Sequence, residues 1–441
     1  MKAQVELNLR ATGPGYVLEK LRNYAVKLVR WSSKFEIHRI SIQLDRFTNL
    51  ISCAAGGNAT LLHNKRLTFY ASVFVASLGL GLYLYFVPIF AQRLGATFLD
   101  LGFIGTAGAL TYAVAPFFVG QLADRISRRV LYAVAILINF SATFFLIFCR
   151  SVNDVIIVRA FAGLGLAFFW PITETLVLDL TRREERVKEM GRYSISWASA
   201  FLIGPFLGGL IIQNFGFFTL FVISCALSLG SLLAAIGLTF PKQRMVERSE
   251  AGTKLKEQSR VLKQLLPWYC LLVCYGLIFN IVSSMLPGYA NSIGVSAVFV
   301  GVLFTAFGIA RVASYASSGR YLHLGERRAL GIASFLLAVA CVLIVLFPAF
   351  SIFLIAISLM GGCFAILFPL SIGLISRHFS ESQLGAAVGS YESTYGVGAA
   401  IGPILAGTLA IIVGVRLSFL SAAFAGILMM IIAARAKTYK D

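Results

Sequence analysis

The sequence predicts an all-α polytopic membrane protein with twelve transmembrane helices in two six-helix repeats. Three observations predict this class. First, 58% of the 441 residues are hydrophobic and 13% are charged, whereas about 25% of the residues in a soluble domain are charged. Second, the chain contains twelve apolar runs of membrane-spanning length. Third, motifs of its first half recur in its second half. A soluble enzyme is therefore excluded, and we expect no catalytic activity.

The twelve apolar runs define the elements in chain order, because about 20 apolar residues cross a bilayer. The runs cover residues 67–92, 99–121, 130–149, 154–178, 191–212, 216–240, 267–290, 295–317, 328–348, 351–376, 385–413 and 416–434. A charged linker at 241–266 cannot enter lipid, so it joins a first half at 67–240 to a second half at 267–434. A basic cytoplasmic extension at 1–66 and a tail at 435–441 make up the rest.

The basic residues are distributed unevenly across the bilayer. With an even number of spans, 11 Lys and Arg precede the first run and 22 lie in other segments of the same side. Only Arg93, Arg150 and Arg416 lie in loops of the opposite side. Because basic residues concentrate on the cytoplasmic side, we expect a multi-pass protein of the plasma membrane with both termini cytoplasmic. The net charge of +19 then follows from topology and contact with the lipid bilayer, not from a nucleic-acid partner.

The cysteine and histidine residues predict no metal or redox site. Apart from Cys53, the seven cysteines lie in or at the ends of apolar runs, without metal-ligand spacing. The four histidines all lie in segments predicted to be cytoplasmic. We therefore expect no metal and no cofactor. Separately, we expect the protein to be a monomer.

An internal repeat relates the two halves at an offset of 198 residues. This offset takes Gly163 to Gly361 and Trp170-Pro171 to Phe368-Pro369. It also takes Gly191, Gly204-Pro205 and Gly208-Gly209 to Gly389, Gly402-Pro403 and Ala406-Gly407. Duplicated halves around a central site are the layout of secondary transporters that alternate between two open states.

Three motifs resemble those of the major facilitator superfamily, and the resemblance covers everything after residue 66. Residues 120–129, GQLADRISRR, resemble its G-x-x-x-D-R-x-G-R-R loop, with Ser127 in place of a glycine. Residues 159–165, RAFAGLG, resemble its R-x-x-x-G-x-G motif. Residues 191–209 resemble its antiporter motif g-x8-G-x3-G-P-x2-G-G, with Ala200 in place of the second glycine. The resemblance implies the fold of this superfamily and its drug/proton antiporter branch.

The loop motif predicts a conformational latch at the cytoplasmic mouth, where partial desolvation strengthens ion pairs that form in one state and break in the other. The resemblance implies that Asp124 contacts the start of the eleventh helix and that an arginine pairs with an acid ending the fourth. Asp179 is the candidate acid, as partner of Arg128. The predicted latch residues are Gly120, Asp124, Arg125, Arg128, Arg129 and Asp179. The alternative is that these arginines only fix the topology.

The Gly-Pro motifs predict bent helices with one flat face. A proline removes the hydrogen bond to the carbonyl four residues earlier, and neighbouring glycines let another helix approach closely. We expect tight, hinged packing between the two halves. The residues concerned are Gly191, Gly204, Pro205, Gly208, Gly209, Gly402 and Pro403. The resemblance of this motif to antiporters favours export.

Four charged residues lie well inside predicted spans: Arg159, Glu174, Arg311 and Glu392. A charge at depth costs at least about 2.5 kcal/mol and persists only with a partner or a role. Because apolar surroundings favour the neutral form of a carboxyl group, Glu392 is a candidate proton carrier, with Glu174 as the alternative. A structural ion pair between Glu392 and Arg311 is the competing interpretation. Arg159 is a candidate contact for an anionic or polar substrate.

Aromatic residues on the predicted cavity helices fit an amphipathic or sugar-like ligand, and core packing explains them equally well. The candidates are Tyr83, Tyr85, Trp170, Tyr269 and Tyr275. The first run contains no Asp or Glu, which weakens a cationic-drug interpretation.

Together these features predict a secondary transporter that moves a small organic solute by alternating access, coupled to protons. Efflux by antiport is favoured. The alternatives are proton-coupled uptake of a sugar or organic anion, and a non-transporting membrane sensor that uses the basic extension. No Walker motif occurs, so ATP-driven pumping is unsupported.

Overall fold

The computed structural model describes residues 58–123, 126–179, 181, 186–238, 255–316, 325–376 and 384–435. In these ranges the chain forms helices and short connections, without strands. Residues 1–57 of the predicted extension, most of the linker and residues 436–441 of the tail lie outside the described residues. The first helix begins at Asn58, nine residues before the start predicted from hydropathy at residue 67, because polar residues can extend a helix beyond its apolar part.

Most helices follow the predicted runs closely, whereas the helix Leu255–Ser292 begins twelve residues before its run, within the predicted linker. We label them by span: α1, Asn58–Tyr83, continued by a 3-10 turn at Leu84–Phe86 and by Val87–Arg93; α2, Phe98–Ala123; α3, Arg128–Leu146; α4, Val152–Asp179; α5 and α6, within Arg186–Gly237; α7, Leu255–Ser292; α8, Ala297–Ala316; α9, Glu326–Leu346; α10, Phe350–Ser376; α11, Leu384–Val413; and α12, Val415–Ser418 with Leu420–Arg435.

The described residues contain eleven helices long and apolar enough to cross a membrane. The longest, Arg186–Gly237, holds two spans, because the backbone leaves the helical conformation at Gly216 with φ 81° and ψ 178°. Glycine adopts positive φ at low cost, so the chain turns there without a loop. Residues 186–215 form α5 and residues 217–237 form α6. The prediction of twelve spans is confirmed.

Equivalent glycines hold equivalent helix pairs together in the two halves. A Cβ at Gly163 of α4 would contact the carbonyl oxygen of Gly108 in α2. Its counterpart at an offset of 198 residues, Gly361 of α10, lies in the same way against the carbonyl oxygen of Phe307 in α8. The predicted repeat is thus present as a repeated packing contact.

Side-chain hydrogen bonds join the helices within the first half, where lipid offers none. The Ser72 hydroxyl of α1 lies 2.9 Å from the Tyr132 hydroxyl of α3 and 3.0 Å from the Ser231 hydroxyl of α6. All three residues are buried. Such interhelical bonds fix the register of α1, which also contributes to the central cavity.

Several hydrogen bonds of the described residues cross between the halves. Thr106 of α2 donates to the carbonyl of Ala400 in α11 at 2.7 Å, and Thr305 of α8 donates to that of Leu202 in α5 at 2.9 Å. Gln92, at the end of α1, donates to the carbonyl of Gly288 in α7 at 3.1 Å. We call the face where α1 begins and α12 ends the terminal side, and the other face the opposite side. The Gln92 bond joins the halves at the opposite side.

Candidate functional site

A cavity of about 240 Å³ lies between the halves, lined by α1, α2, α4 and α5 of the first half and by α7, α8 and α11 of the second. We call it the central cavity. A recess of about 180 Å³ adjoins it and contains the carboxyl groups discussed below; we call it the acidic recess. Five aromatic residues and Arg311 line both spaces. We call the five aromatic residues together the aromatic ring: Tyr112, Trp170, Trp197, Phe279 and Tyr395.

Arg159 projects from α4 into the central cavity. Among the described residues it has no ion pair or side-chain hydrogen bond. Asp154, the nearest acid on its helix, instead accepts hydrogen bonds from the backbone N–H groups of Arg150 and Ser151 at 3.0 and 2.8 Å. Gly108 of α2 makes room for the guanidinium group, because a Cβ there would lie 3.3 Å from a terminal nitrogen of Arg159.

Arg311 of α8 lines both the central cavity and the acidic recess. Its guanidinium carbon lies 5.1 Å from the ring centroid of Trp197 in α5 and 5.3 Å from that of Phe307. These are cation–π distances, and the Trp197 contact crosses between the halves. Its Nε is buried without a hydrogen-bond partner in the described part of the chain. No ion pair with Glu392 is formed there, in contrast to the structural interpretation drawn from sequence.

Glu392 is buried in α11 and accepts a hydrogen bond from the hydroxyl of Tyr112 in α2. This bond also crosses between the halves. Glu174 of α4 lines the same recess, so each half contributes one carboxyl group. Within the described residues neither carboxyl has an ion-pair partner.

The four charges lie at different depths. At 1.5 Å per residue, Arg159 is about 10 Å and Arg311 about 21 Å from the opposite-side ends of their helices. By the same measure, Glu174 and Glu392 are about 33 and 32 Å from those ends. Arg159 therefore lies towards the opposite side and both carboxyl groups lie towards the terminal side, with Arg311 at a depth between them.

Three of the five predicted aromatics line these spaces: Tyr85 the central cavity, Tyr275 the acidic recess and Trp170 both. Tyr83 does not line the central cavity, and its ring packs 6.2 Å from that of Phe221 in α6. Residues two apart on a helix point about 200° apart, so Tyr83 and Tyr85 cannot share a face. Tyr269 of α7 also lies outside the lining of both described spaces.

Sequence reasoning missed four members of the aromatic ring. Trp197 and Tyr112 carry the contacts across the halves to Arg311 and Glu392. Tyr395 follows Glu392 by three residues, so helical spacing places it on the same face, and this signal was available. The positions of Tyr112 and Trp197 depend on contacts between distant parts of the chain, which periodicity does not report.

The glycines of the Gly-Pro motifs pack mostly within their own half, which corrects the expectation of contact between halves. A Cβ at Gly204 would lie 2.7 Å from the carbonyl carbon of Gly81 in α1. Gly208 also lies against α1, at Leu82. In the second half, a Cβ at Gly402 would lie 2.6 Å from the carbonyl oxygen of Leu277 in α7. These glycines therefore hold α5 to α1 and α11 to α7.

Gly209 does cross between the halves, since a Cβ there would lie 2.7 Å from the carbonyl oxygen of Ala297 at the start of α8. Gly191 has no neighbour within 4 Å among the described atoms. A packing role for Gly191 is therefore not supported.

The two motif prolines face glycines of the other half. The Pro205 carbonyl of α5 lies against Gly301 of α8, and a Cβ at Gly105 of α2 would lie 2.7 Å from Cβ of Pro403 in α11. Both prolines lie inside their helices. The tight contacts between the halves thus lie at α5–α8 and α2–α11.

The predicted latch is only partly described. Arg129 donates a hydrogen bond to the carbonyl of Ile236 near the end of α6, which ties α3 to α6 within the first half. Arg128 begins α3 beside it. Asp124 and Arg125 lie outside the described residues, as do the surroundings of Gly120 and the side chain of Asp179. The latch stays a prediction.

A family model described as "Major Facilitator Superfamily" matches residues 69–322 and 268–440. These two matches together extend from α1 to the last helix. The chain belongs to the Major Facilitator Superfamily. The predicted family and fold are confirmed, and the chain is a multi-pass membrane protein of this superfamily.

Relatives within the superfamily include drug-resistance proteins. Multidrug resistance protein 2 of Bacillus subtilis is 26% identical over 189 residues, which are 43% of this chain and 47% of the relative. Quinolone resistance protein NorA of Staphylococcus aureus is 25% identical over 34% of this chain and 39% of the relative. The chain thus matches less than half the length of these curated relatives.

A solved structure of a mutant of the nucleoside transporter NupG is similar in fold. It has a TM-score of 0.74 at 13% identity and covers 85% of this chain and 100% of its own. At this identity the likeness concerns the Major Facilitator Superfamily fold alone.

Proposed function

We propose that the chain is a proton-coupled secondary transporter that exports a small organic solute across the plasma membrane by alternating access. One observation carries this proposal. Glu174 and Glu392, one from each half, line one buried recess and have no ion-pair partner among the described residues. The names of two relatives, a multidrug resistance protein and a quinolone resistance protein, support export.

Proton binding provides the coupling through the cost of burying charge. When the terminal side closes, both carboxyl groups lose access to water, and a charged group at depth costs several kcal/mol unless it is neutralised. A bound proton, or a positive charge on the solute, removes this cost. The protein without solute or bound protons therefore closes its terminal side with difficulty. As a result, solute carried in one direction is exchanged for protons carried in the other.

The asymmetry of basic residues supports cytoplasmic termini, so that the terminal side faces the cytoplasm. The helices of one chain enclose the central cavity, which supports a functional monomer. The two six-helix units, 67–240 and 267–434, are the bodies that rock about the central cavity.

Uptake of an organic anion with protons is a second candidate, favoured by Arg159 and Arg311. An anion bound near the carboxyl groups favours their protonated, neutral form, because it repels their negatively charged form. Solute and proton would then move in the same direction.

A proteoliposome experiment tests the proposal. The purified protein is reconstituted with pyranine in the lumen, and norfloxacin, ethidium, 2-naphthoate and uridine are added outside in turn. Antiport makes the lumen alkaline as solute enters, whereas symport makes it acidic. We expect alkalinisation with at least one solute.

Acid-to-amide variants are the matched controls. Glu392→Gln and Glu174→Gln should abolish accumulation driven by a pH gradient and retain downhill counterflow, whereas Asp100→Asn, at an acid of the opposite-side surface, should behave as wild type. Counterflow without any change in lumenal pH would contradict proton coupling. Acidification would select the second candidate.

A further inference from the structure

We propose that the transported solute is amphoteric: its anionic group binds Arg159 and Arg311, and its basic group faces Glu174 and Glu392. This inference rests on the proposed function, because it names the class of solute that the same cavity carries. It follows from the order of the charges in one continuous space: Arg159 lies nearest the opposite side, Arg311 comes next, and both carboxyl groups lie nearest the terminal side.

The arginine end is an anion site without an anion of its own. Both guanidinium groups line the central cavity, and no described carboxylate does. One arginine comes from each half. Asn280, Ser283 and Ser284 of α7 add polar side chains to the same lining, so an anion there would meet further hydrogen-bond donors.

Structural roles do not account for the two arginines. Each buried charge carries a desolvation cost, and neither has an ion-pair partner among the described residues. Aromatic contacts hold Arg311 in place, but a cation–π contact leaves the edge of the guanidinium group available for hydrogen bonds. A carboxylate or phosphate group matches that edge.

The aromatic ring and Arg311 lie where the two spaces meet, between Arg159 and the carboxyl groups, because they line both the central cavity and the acidic recess. Within it, the ring centroids of Trp170 and Trp197 lie 5.4 Å apart at an interplanar angle of 77°. Such a wall favours an aromatic or flat apolar body. The body of the solute would therefore cross the ring and link the two charged groups.

The acidic end is the complement of the arginine end. Its two carboxyl groups lie at nearly the same depth, about 11 Å along the helix axes from Arg311. Because long side chains shorten this gap, a solute whose charges are separated by roughly the width of a two-ring system would reach both Arg311 and the carboxyl groups.

This arrangement also explains the exchange of solute for protons. A basic group of the solute and protons would compete for the same two carboxyl groups, so each displaces the other. The anionic group would secure the solute to both halves at the arginine end and thereby exclude simple cations.

A matched series of four naphthalene probes tests the inference. The amphoteric probe is 6-(aminomethyl)-2-naphthoate. The anionic probe is 6-methyl-2-naphthoate, the cationic probe is (6-methylnaphthalen-2-yl)methanamine, and the neutral probe is methyl 6-methyl-2-naphthoate. Binding to the full-length protein in nanodiscs is measured by calorimetry without a pH gradient. We expect the amphoteric probe to bind about tenfold more tightly than either singly charged probe, since a charge-assisted hydrogen bond is of that strength.

Variants assign each charge of the probe to its end of the cavity. Arg159→Gln and Arg311→Gln should reduce affinity for the amphoteric probe to that of the cationic one. Glu392→Gln should reduce it to that of the anionic probe. Arg328→Gln removes an exposed arginine of α9 and should change nothing. Arg311→Lys keeps the charge and should retain part of the preference.

Two results would overturn the inference: a wild type that binds none of the probes or shows no preference for the amphoteric one, or a preference that survives the arginine variants. Because binding is measured without a gradient, this failure is distinct from a failure of proton coupling, which the pyranine experiment reports.

Discussion

Two buried glutamates of this bundle have different surroundings. Glu189 of α5 lies 2.6 Å from Arg192 and 3.7 Å from Arg66 and accepts a hydrogen bond from Tyr70 at 2.7 Å. In the described structure Glu392 has the Tyr112 hydroxyl and no cation. The charge of Glu189 is therefore compensated and serves the structure, whereas Glu392 is available to bind and release a proton.

Replacing each acid by its amide separates these roles. Glu189→Gln should lower the free energy of unfolding by about 2 kcal/mol, because hydrogen bonds to a charged group are lost. Glu392→Gln should stay within about 1 kcal/mol of wild type, because the amide oxygen still accepts from Tyr112. Unfolding by SDS in mixed micelles measures both. A loss at Glu392 as large as at Glu189 would restore the structural interpretation.

At the residue scale, the sequence predicted how deep each charged residue lies in its span but not which neighbours its side chain contacts. Helical rise alone places Glu392 and Arg311 inside their spans, so their selection as candidates needed no structure. Their partners, Tyr112 and Trp197, lie 280 and 114 positions away in the chain. No periodic signal links such positions. For the same reason the sequence selected Tyr83 together with Tyr85, although one helix face cannot hold both.

At the element scale, the repeated Gly-Pro motifs place two interfaces symmetrically. Pro205 of α5 faces Gly301 of α8, and Pro403 of α11 faces Gly105 of α2. Each contact joins one helix of each half. Because a bent, glycine-lined interface has no side chains to interdigitate, the halves can change their angle there with little repacking.

Adding one methyl group at this interface tests that view. Gly301→Ala would press Cβ onto the Pro205 carbonyl, and overpacking of this kind costs about 1 to 3 kcal/mol. We therefore expect counterflow of a transported solute to fall at least about fivefold. Gly331→Ala is the matched control, since nothing lies within 4 Å of its Cβ position in the described structure. Equal activity of the two variants would contradict the role of the interface.

The helix bounds could be predicted because apolar length is a local property. The run at 385–413 became Leu384–Val413 and that at 351–376 became Phe350–Ser376. The partners of Gly204 and Gly208 could not be predicted, because small residues favour close approach by any helix. The structure assigns both to α1 of their own half.

At the scale of the whole molecule, each half supplies one arginine and one glutamate to the space between the halves. The first half supplies Arg159 and Glu174, and the second supplies Arg311 and Glu392. These residues are not counterparts at the repeat offset of 198. The repeat therefore provides the frame of two rocking bodies, whereas the charges of the cavity are particular to each half.

The latch predicted at the terminal side has a direct test. Asp124→Asn removes the charge expected to face the start of α11, where the helix dipole is positive and favours an anion by about 0.3 to 1 kcal/mol. Transport should fall sharply while expression and unfolding stay near wild type. Asp100→Asn, at an acid on the opposite side, is the control. Unchanged transport in Asp124→Asn would reject the latch.

Amides at the ends of α1 and α7 join the two halves at the opposite side. Gln92 donates to the Gly288 carbonyl at 3.1 Å and accepts from the Asn291 amide at 3.1 Å. If the two halves rock as bodies, these bonds must break when the opposite side opens. Their strength then contributes to the balance between the two states.

Removing one of these amides should shift that balance. Asn291→Ala deletes one bond worth about 1 kcal/mol, which changes the ratio of open to closed opposite sides about fivefold. Spin labels at the exposed positions Asn153 and Ala349, in a background without native cysteines, report this ratio as a distance distribution. Asn214→Ala is the control, because Asn214 bonds only the Leu210 carbonyl of its own helix in the described structure. A population of long distances that grows in Asn291→Ala and not in Asn214→Ala is the expected result, and identical distributions in both would show that other contacts hold the opposite side closed.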